Sequence, residues 1–250
     1  MMARLRAPGG CEWDRAQTRD DLKKHLIEEA YEVIDAIEAR DDAMLREELG
    51  DLLLQVVFHA QISAEQGNFD MEDICRAINE KLVRRHPHVF GDAKAEDAGE
   101  ALQNWEAMKN REKNGEGSIF SGVPKQLPAL LKAFRVQQKA AQVGFDWDAI
   151  DQVEAKVGEE WREFNEALAG ESKDRVREEM GDYLFALVNL CRFLDLDPED
   201  TLQAANRKFM SRFQGMEREA QKRGLELHGM TLDEMDALWD KVKERERGTA

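Results

Sequence analysis

Apolar residues recur along this chain at intervals of three and four. Leu22, Leu26, Ala30, Val33 and Ile37 step by four, four, three and four, so they lie on one face of a helix. After the polar break Arg40-Asp41-Asp42 the pattern resumes at Leu45, Leu49, Leu52, Val56 and Ala60. A second stretch repeats the plan, with Val153, Val157, Trp161, Phe164 and Leu168, the break Gly170-Glu171-Ser172-Lys173, then Val176, Tyr183, Ala186, Leu187 and Leu190. Each stretch predicts a helical hairpin. Further helices are expected over about 70–85, 99–113, 126–142, 198–222 and 231–247, with Asp70, Pro198 and Thr231 near their N-termini. Alternating strand patterns are almost absent, so the fold class is all-α.

The two hairpins are copies. Glu28-Glu29-x-x-Glu32 is followed by Glu47-Glu48-Leu49-Gly50-Asp51, and 131 positions on come Glu159-Glu160-x-x-Glu163 and Glu178-Glu179-Met180-Gly181-Asp182. Glu29 to Glu48 and Glu160 to Glu179 both span 19 residues, an offset kept across two helices and a turn. Tandem duplication accounts for that. Periodicity fails at Asn114-Gly115-Glu116-Gly117-Ser118, with Pro124 and Pro128 following, which reads as a linker. Two modules are therefore expected, residues 1–120 and 121–250.

Composition narrows the function. The chain has 250 residues, enough for two ordinary domains, and 42% of them are apolar, enough to build cores. Lys+Arg 36 against Asp+Glu 52 leaves a formal charge of −16, and that field would repel a nucleic-acid backbone, so no direct nucleic-acid binding is expected. Any phosphate must be met by local cations or by a metal. Charge or Gln breaks every long apolar run well before the roughly 18 residues that span a bilayer, and Met1-Met2-Ala3-Arg4 opens no signal peptide. Cys11, Cys75 and Cys191 are far apart and show neither disulfide nor zinc spacing. A reducing cytoplasm fits.

The duplicated acids sit on the wrong face for solvation. Glu160 is three after Val157 and four before Phe164, beside the apolar stripe, and Glu163 follows one turn later. Glu179 is three after Val176 and four before Tyr183, and Asp182 again follows by a turn. Four carboxylates are thus expected to point from two helices toward a shared interior. Burying them together costs several kcal/mol each unless a cation neutralises them. An all-oxygen set without histidine selects Mg²⁺, or Mn²⁺, over zinc. The first copy offers Glu29, Glu32, Glu48 and Asp51 as a possible second metal site.

These motifs resemble the MazG-type nucleoside triphosphate pyrophosphohydrolases in their two-domain bacterial form. The resemblance covers nearly the whole chain and includes Cys11-Glu12-Trp13-Asp14 with Gln17-Thr18, Arg84-Arg85-His86-Pro87-His88-Val89-Phe90, Val143-Gly144-Phe145-Asp146-Trp147, and Asn206-Arg207-Lys208-Phe209 with Arg212. Glu12 departs from it, since the family usually has Pro there. The resemblance implies tandem all-α modules in a helical-bundle dimer. It also implies Mg²⁺-dependent hydrolysis of nucleoside triphosphates between the α and β phosphates, with broad base tolerance and a role in nucleotide-pool control or sanitation. Lys156, Arg175, Glu178, Lys208, Arg212 and Trp239 would then contact the nucleotide. Glu159 and Glu163 are the candidates for the base that activates water, and spacing does not separate base from ligand.

The copies differ in their cations. The 131-residue offset takes Lys156 to His25 and Arg175 to Met44, although Asn79-x-Lys81-x-x-x-Arg85 echoes Asn206-x-Lys208-x-x-x-Arg212. The second module is therefore expected to be catalytic and the first weak or structural. A di-iron bundle would need Glu-x-x-His, and none of the five histidines follows a Glu by three. The better rival is a noncatalytic assembly module whose helices Mg²⁺ merely orders.

Overall fold

Helices and turns make up the chain among the residues described by this computed structural model, which are 1–95, 97, 99–101, 104, 105, 108, 118–170 and 172–248. The expected linker at 114–118 lies outside them apart from Ser118, as does most of the expected helix 99–113. Two compact units form, Met1–Glu116 and Gly117–Ala250.

In the first unit, α3 (Lys23–Ala39) and α4 (Asp42–Glu65) make the hairpin. Arg40 closes α3 in the left-handed region at φ 54°, and the Asp41 carboxylate then accepts the amides of Ala43 and Met44 at 3.0 and 3.1 Å. Two short helices that periodicity did not predict, α1 (Met2–Arg6) and α2 (Glu12–Ala16), pack on one another, and α1 also packs on α4. Met2, Leu22, Phe58 and Ile62 form the buried cluster there. Next along the chain, α5 (Met71–Arg85) is started by a capping box in which Asp70 and Asp73 satisfy each other's amides, and α6 (Pro87–Phe90) follows.

In the second unit, α8 (Ile150–Leu168) and α9 (Lys173–Phe193) repeat the hairpin, with α7 (Ala129–Ala141) laid on α9. The unit ends with α10 (Pro198–Lys222), the 3₁₀ turn Leu227–Gly229, and α11 (Leu232–Gly248). Asp197 caps α10, with Pro198 at its first turn where a missing N–H costs nothing. Met216, Ala220 and Leu238 form the core between α10 and α11. The helices approach closely because residue 215 is glycine; a Cβ there would stand 3.0 Å from Val242 Cγ1.

Burial departs from the expected stripes. Leu26, Ile37, Leu49, Trp161 and Leu168 are between 40% and 56% exposed, although each lies on a face that periodicity assigned to the core. Two helices present more apolar surface than they can cover for each other. Among the described residues no helix is long and apolar enough to cross a membrane.

Candidate active site

The acids of α8 and α9 converge. One carboxylate oxygen from each of Glu160, Glu163 and Glu179 lies within 4.8 Å of the others, with Glu160 buried and the other two half-buried. Asp182 is not in that trio. It is exposed and lines the cavity that also borders Glu160, so of the four acids expected to point toward a shared interior three cluster and one stands at the cavity rim.

Lys156 is the cation of this cluster. Its Nζ lies 2.7 Å from Glu160 Oε1 and 2.9 Å from Glu159 Oε1, one turn along the same helix. The hydrogen bonds to Glu160, and after it to Glu159, hold the ammonium far above its ordinary lysine pKa, so it stays charged. Arg175 Nε stands 3.6 Å from Glu179 Oε1, and more than half of its side chain is exposed. Glu178, beside Glu179, is exposed.

Beyond Lys156 and Glu160 opens a cavity of about 520 Å³, walled by α7, α8, α9 and the segment 144–147. Phe120, Phe145, Trp147 and Phe185 line it with Val136, Ala140 and Ala186. The motif Gly144-Phe145-Asp146-Trp147, whose place in the fold the sequence did not show, forms one wall of it. Arg192, also in the wall, donates to both Asp146 carboxylate oxygens and to Asn189 Oδ1, which pins the segment to α9.

The nucleotide contacts implied on α10 and α11 lie elsewhere. Lys208 is exposed, while Arg212 Nε donates to Glu246 Oε2 at 2.8 Å. Trp239 packs on the Met216, Ala220 and Leu238 cluster with its ring 5.2 Å from that of Phe209. None of the three lines the cavity.

The first unit assembles a different trio from equivalent positions. Glu29, Glu48 and Asp51 each place an oxygen within 4.8 Å of the others, and the exposed Glu32 stands outside that trio. Burial, then the charges of Asp51 and Glu32, raise the Glu29 pKa, and burial with Glu32 does the same for Glu48. His25 pairs with Glu28 at 3.0 Å, where the second unit has Lys156 with Glu159. Gln55, only 6% exposed, donates to Glu29 Oε1 at 3.4 Å. Its counterpart at the 131-residue offset is Ala186. A long polar side chain thus stands in the first unit where a small one borders the cavity in the second.

The donor chemistry suits one class of ion. All-carboxylate clusters at this spacing could hold a hard divalent cation, and the uncompensated charge in the first unit shows what such a cation would relieve. Fold and site together define an all-α protein of duplicated hairpins that gather carboxylates beside an apolar cavity.

The chain belongs to the MazG family: the MazG nucleotide pyrophosphohydrolase domain matches it twice, at residues 17–90 and 150–215. It is 49% identical to the nucleoside triphosphate pyrophosphohydrolase/pyrophosphatase MazG of Thermotoga maritima, covering 97% of this chain and 93% of that protein. It is 46% identical to the nucleoside triphosphate pyrophosphohydrolase of Escherichia coli, over 98% and 95% respectively. An uncharacterised protein of Bacillus subtilis, YabN, is 47% identical over 97% of this chain but only 50% of its own length.

Proposed function

We propose that this protein hydrolyses nucleoside triphosphates at the α–β phosphoanhydride, releasing nucleoside monophosphate and pyrophosphate, and so controls or cleans the nucleotide pool. The observation that carries the reading is the Glu160, Glu163 and Glu179 cluster joined to Lys156, in a chain whose near-full-length relatives bear that activity in their names. Glu160, Glu163, Glu179 and Asp182 would hold Mg²⁺, with Mn²⁺ as the alternative. A bound ion of this kind offsets phosphate charge and lowers the pKa of water.

The chain's own residues divide the remaining work. Lys156 now neutralises Glu160, and once that carboxylate is engaged by a cation the ammonium is free to meet a phosphate oxygen. Arg175 holds the same relation to Glu179 and is free enough to turn outward. Glu159 or Glu163 takes the proton from water as it attacks the α-phosphorus, and pyrophosphate departs with the bridging oxygen. Lys208 and Arg212 would steady the departing phosphates and Trp239 the base, which requires Arg212 to leave Glu246. Stacking and edge contacts of this sort tolerate several bases.

Catalysis belongs to the second module, 121–250, and a structural or assembly role to the first, 1–120. His25 and Met44 replace two phosphate-facing cations there. The assembly is a homodimer. Leu26, Ile27, Ile34, Leu53, Trp161 and Leu184 are among the exposed apolar residues a partner would cover. A cytoplasmic location suits a role in the nucleotide pool.

The test is direct. With Mg²⁺, the protein should release pyrophosphate from ATP, GTP, CTP and UTP, and chelation should stop it. Orthophosphate as the product, or no turnover of any triphosphate, overturns the reading. Sedimentation should give twice the chain mass, and a monomer at micromolar concentration would remove the dimer.

A further inference from the structure

We propose that the two acid clusters take their cations under different conditions. The first unit holds a divalent cation in the absence of nucleotide, as a structural tie between α3 and α4, whereas Lys156 keeps the second unit from doing so until a phosphate draws its ammonium away. Only the part given to the phosphate rests on the triphosphate reading above.

The difference lies one helical turn before the inward glutamate of each hairpin. In the second unit that residue is Lys156, whose Nζ stands 2.7 Å from Glu160 Oε1 and 2.9 Å from Glu159 Oε1. A metal ion that takes Glu160 must break a charge-assisted bond to a carboxylate only 6% exposed, so the protein's own ammonium competes with it. In the first unit the same position is His25, which pairs with Glu28 rather than Glu29. Met44 stands where Arg175 reaches Glu179. The charges that act on Glu29 are those of Asp51, Glu32 and Glu48, and those that act on Glu48 are Glu32, Asp51 and Glu47, all negative. Three carboxylates within 4.8 Å of one another therefore repel, and a divalent ion would balance them without displacing any cation of the chain.

Gln55 points to a ligand independently of the acids. Its side chain is 6% exposed, its Oε1 is buried without a partner, and its Nε2 donates to Glu29 Oε1 at 3.4 Å. Half a turn about the last side-chain bond exchanges oxygen for nitrogen and moves neither site far. That turn brings the amide oxygen beside Glu29 Oε1, and two oxygens that share one Mg²⁺ at about 2.1 Å stand roughly 3 Å apart. Without an ion it would set oxygen against oxygen, so the amide shows its donor. With one, Gln55 becomes a fourth ligand. The second unit has Ala186 at the equivalent position and gains no such ligand.

The experiment counts Mn²⁺ bound to the full chain, from the loss of its free electron-resonance signal, with no nucleotide present. Wild type should bind one ion per chain at least about tenfold more tightly than a second. Glu48→Gln with Asp51→Asn should abolish that binding, and Glu163→Gln with Glu179→Gln should leave it. His25→Lys gives Glu29 the partner that Glu160 has, and Gln55→Leu removes the fourth ligand; each should weaken the ion about tenfold. Lys156→Met should raise the number of tight ions from one to two. Two equal sites in wild type, none, or a single ion lost with the second-unit acids overturns the proposal. So does His25→Lys or Gln55→Leu that binds as wild type does, or a folded Lys156→Met that still binds one. Circular dichroism checks folding, and if Lys156→Met fails there, with Glu160 left buried and unpaired, His25→Lys carries the comparison. Failure of wild type to release pyrophosphate, measured separately, would sink the triphosphate reading without changing these counts.

Discussion

Lys156 and Glu160 carry opposite charges one helical turn apart, and Glu160 is only 6% exposed. A buried carboxylate left unpaired would cost several kcal/mol. The pair therefore keeps the site folded before any cation arrives, and Glu163 and Glu179 stand close enough to Glu160 to share one. Glu179→Gln, which removes a charge from that trio, should lower turnover at least about 10²-fold. Asp182→Asn at the rim should do the same if Asp182 joins the ligands, and rates of pyrophosphate release in the two purified variants decide both. The acids were legible in the sequence because their offset repeats and their spacing puts them beside an apolar stripe. The buried tie from Gln137 Nε2 to the Phe185 carbonyl was not, since that partner lies 48 residues away on another helix. The exposure of Asp182 was missed because spacing fixes a side chain's direction on its own helix and not how far the neighbouring helices cover it.

Hairpins α3–α4 and α8–α9 were legible as elements, because runs of 17 to 24 residues let the period of 3.6 emerge. Five-residue α1 and α2 contain too little of that period to show. The tie between α10 and α11 also escaped sequence reasoning. Glu219 accepts from Arg245 Nη1 at 2.8 Å and from Arg223 Nη2 at 3.1 Å, and these bonds, that of Arg245 first, pull its pKa from 4.5 down to about 2. A folded-state pKa below the unfolded one gives stability that is present above the unfolded value and lost as pH falls through the folded value. Thermal melts of wild type should accordingly weaken between pH 4.5 and about 2 by more than those of Glu219→Gln. Equal acid sensitivity in both would mean that the tie contributes nothing.

At the scale of the whole molecule, duplication explains why two acid trios exist, and divergence explains why they differ. Its first unit has lost two cations, gained Gln55 beside Glu29, and completes its trio of Glu29 and Glu48 with Asp51, whereas the second completes the equivalent Glu160 and Glu179 with Glu163. Glu48→Gln with Asp51→Asn should leave most triphosphate hydrolysis intact, and loss of activity in that folded double variant would make the first copy catalytic. Periodicity revealed the duplication but not the apolar surface left uncovered, because a stripe reports which face seeks burial and not whether a partner within the chain supplies it.

The account's central claim is the bond broken in the second unit, and hydrolysis of ATP in ¹⁸O-labelled water tests it most directly. Attack at the α-phosphorus puts the label in the nucleoside monophosphate and none in pyrophosphate, which is the predicted result. Label in pyrophosphate would place attack at the β-phosphorus, and orthophosphate with diphosphate as products would make this an ordinary triphosphatase; either contradicts the account.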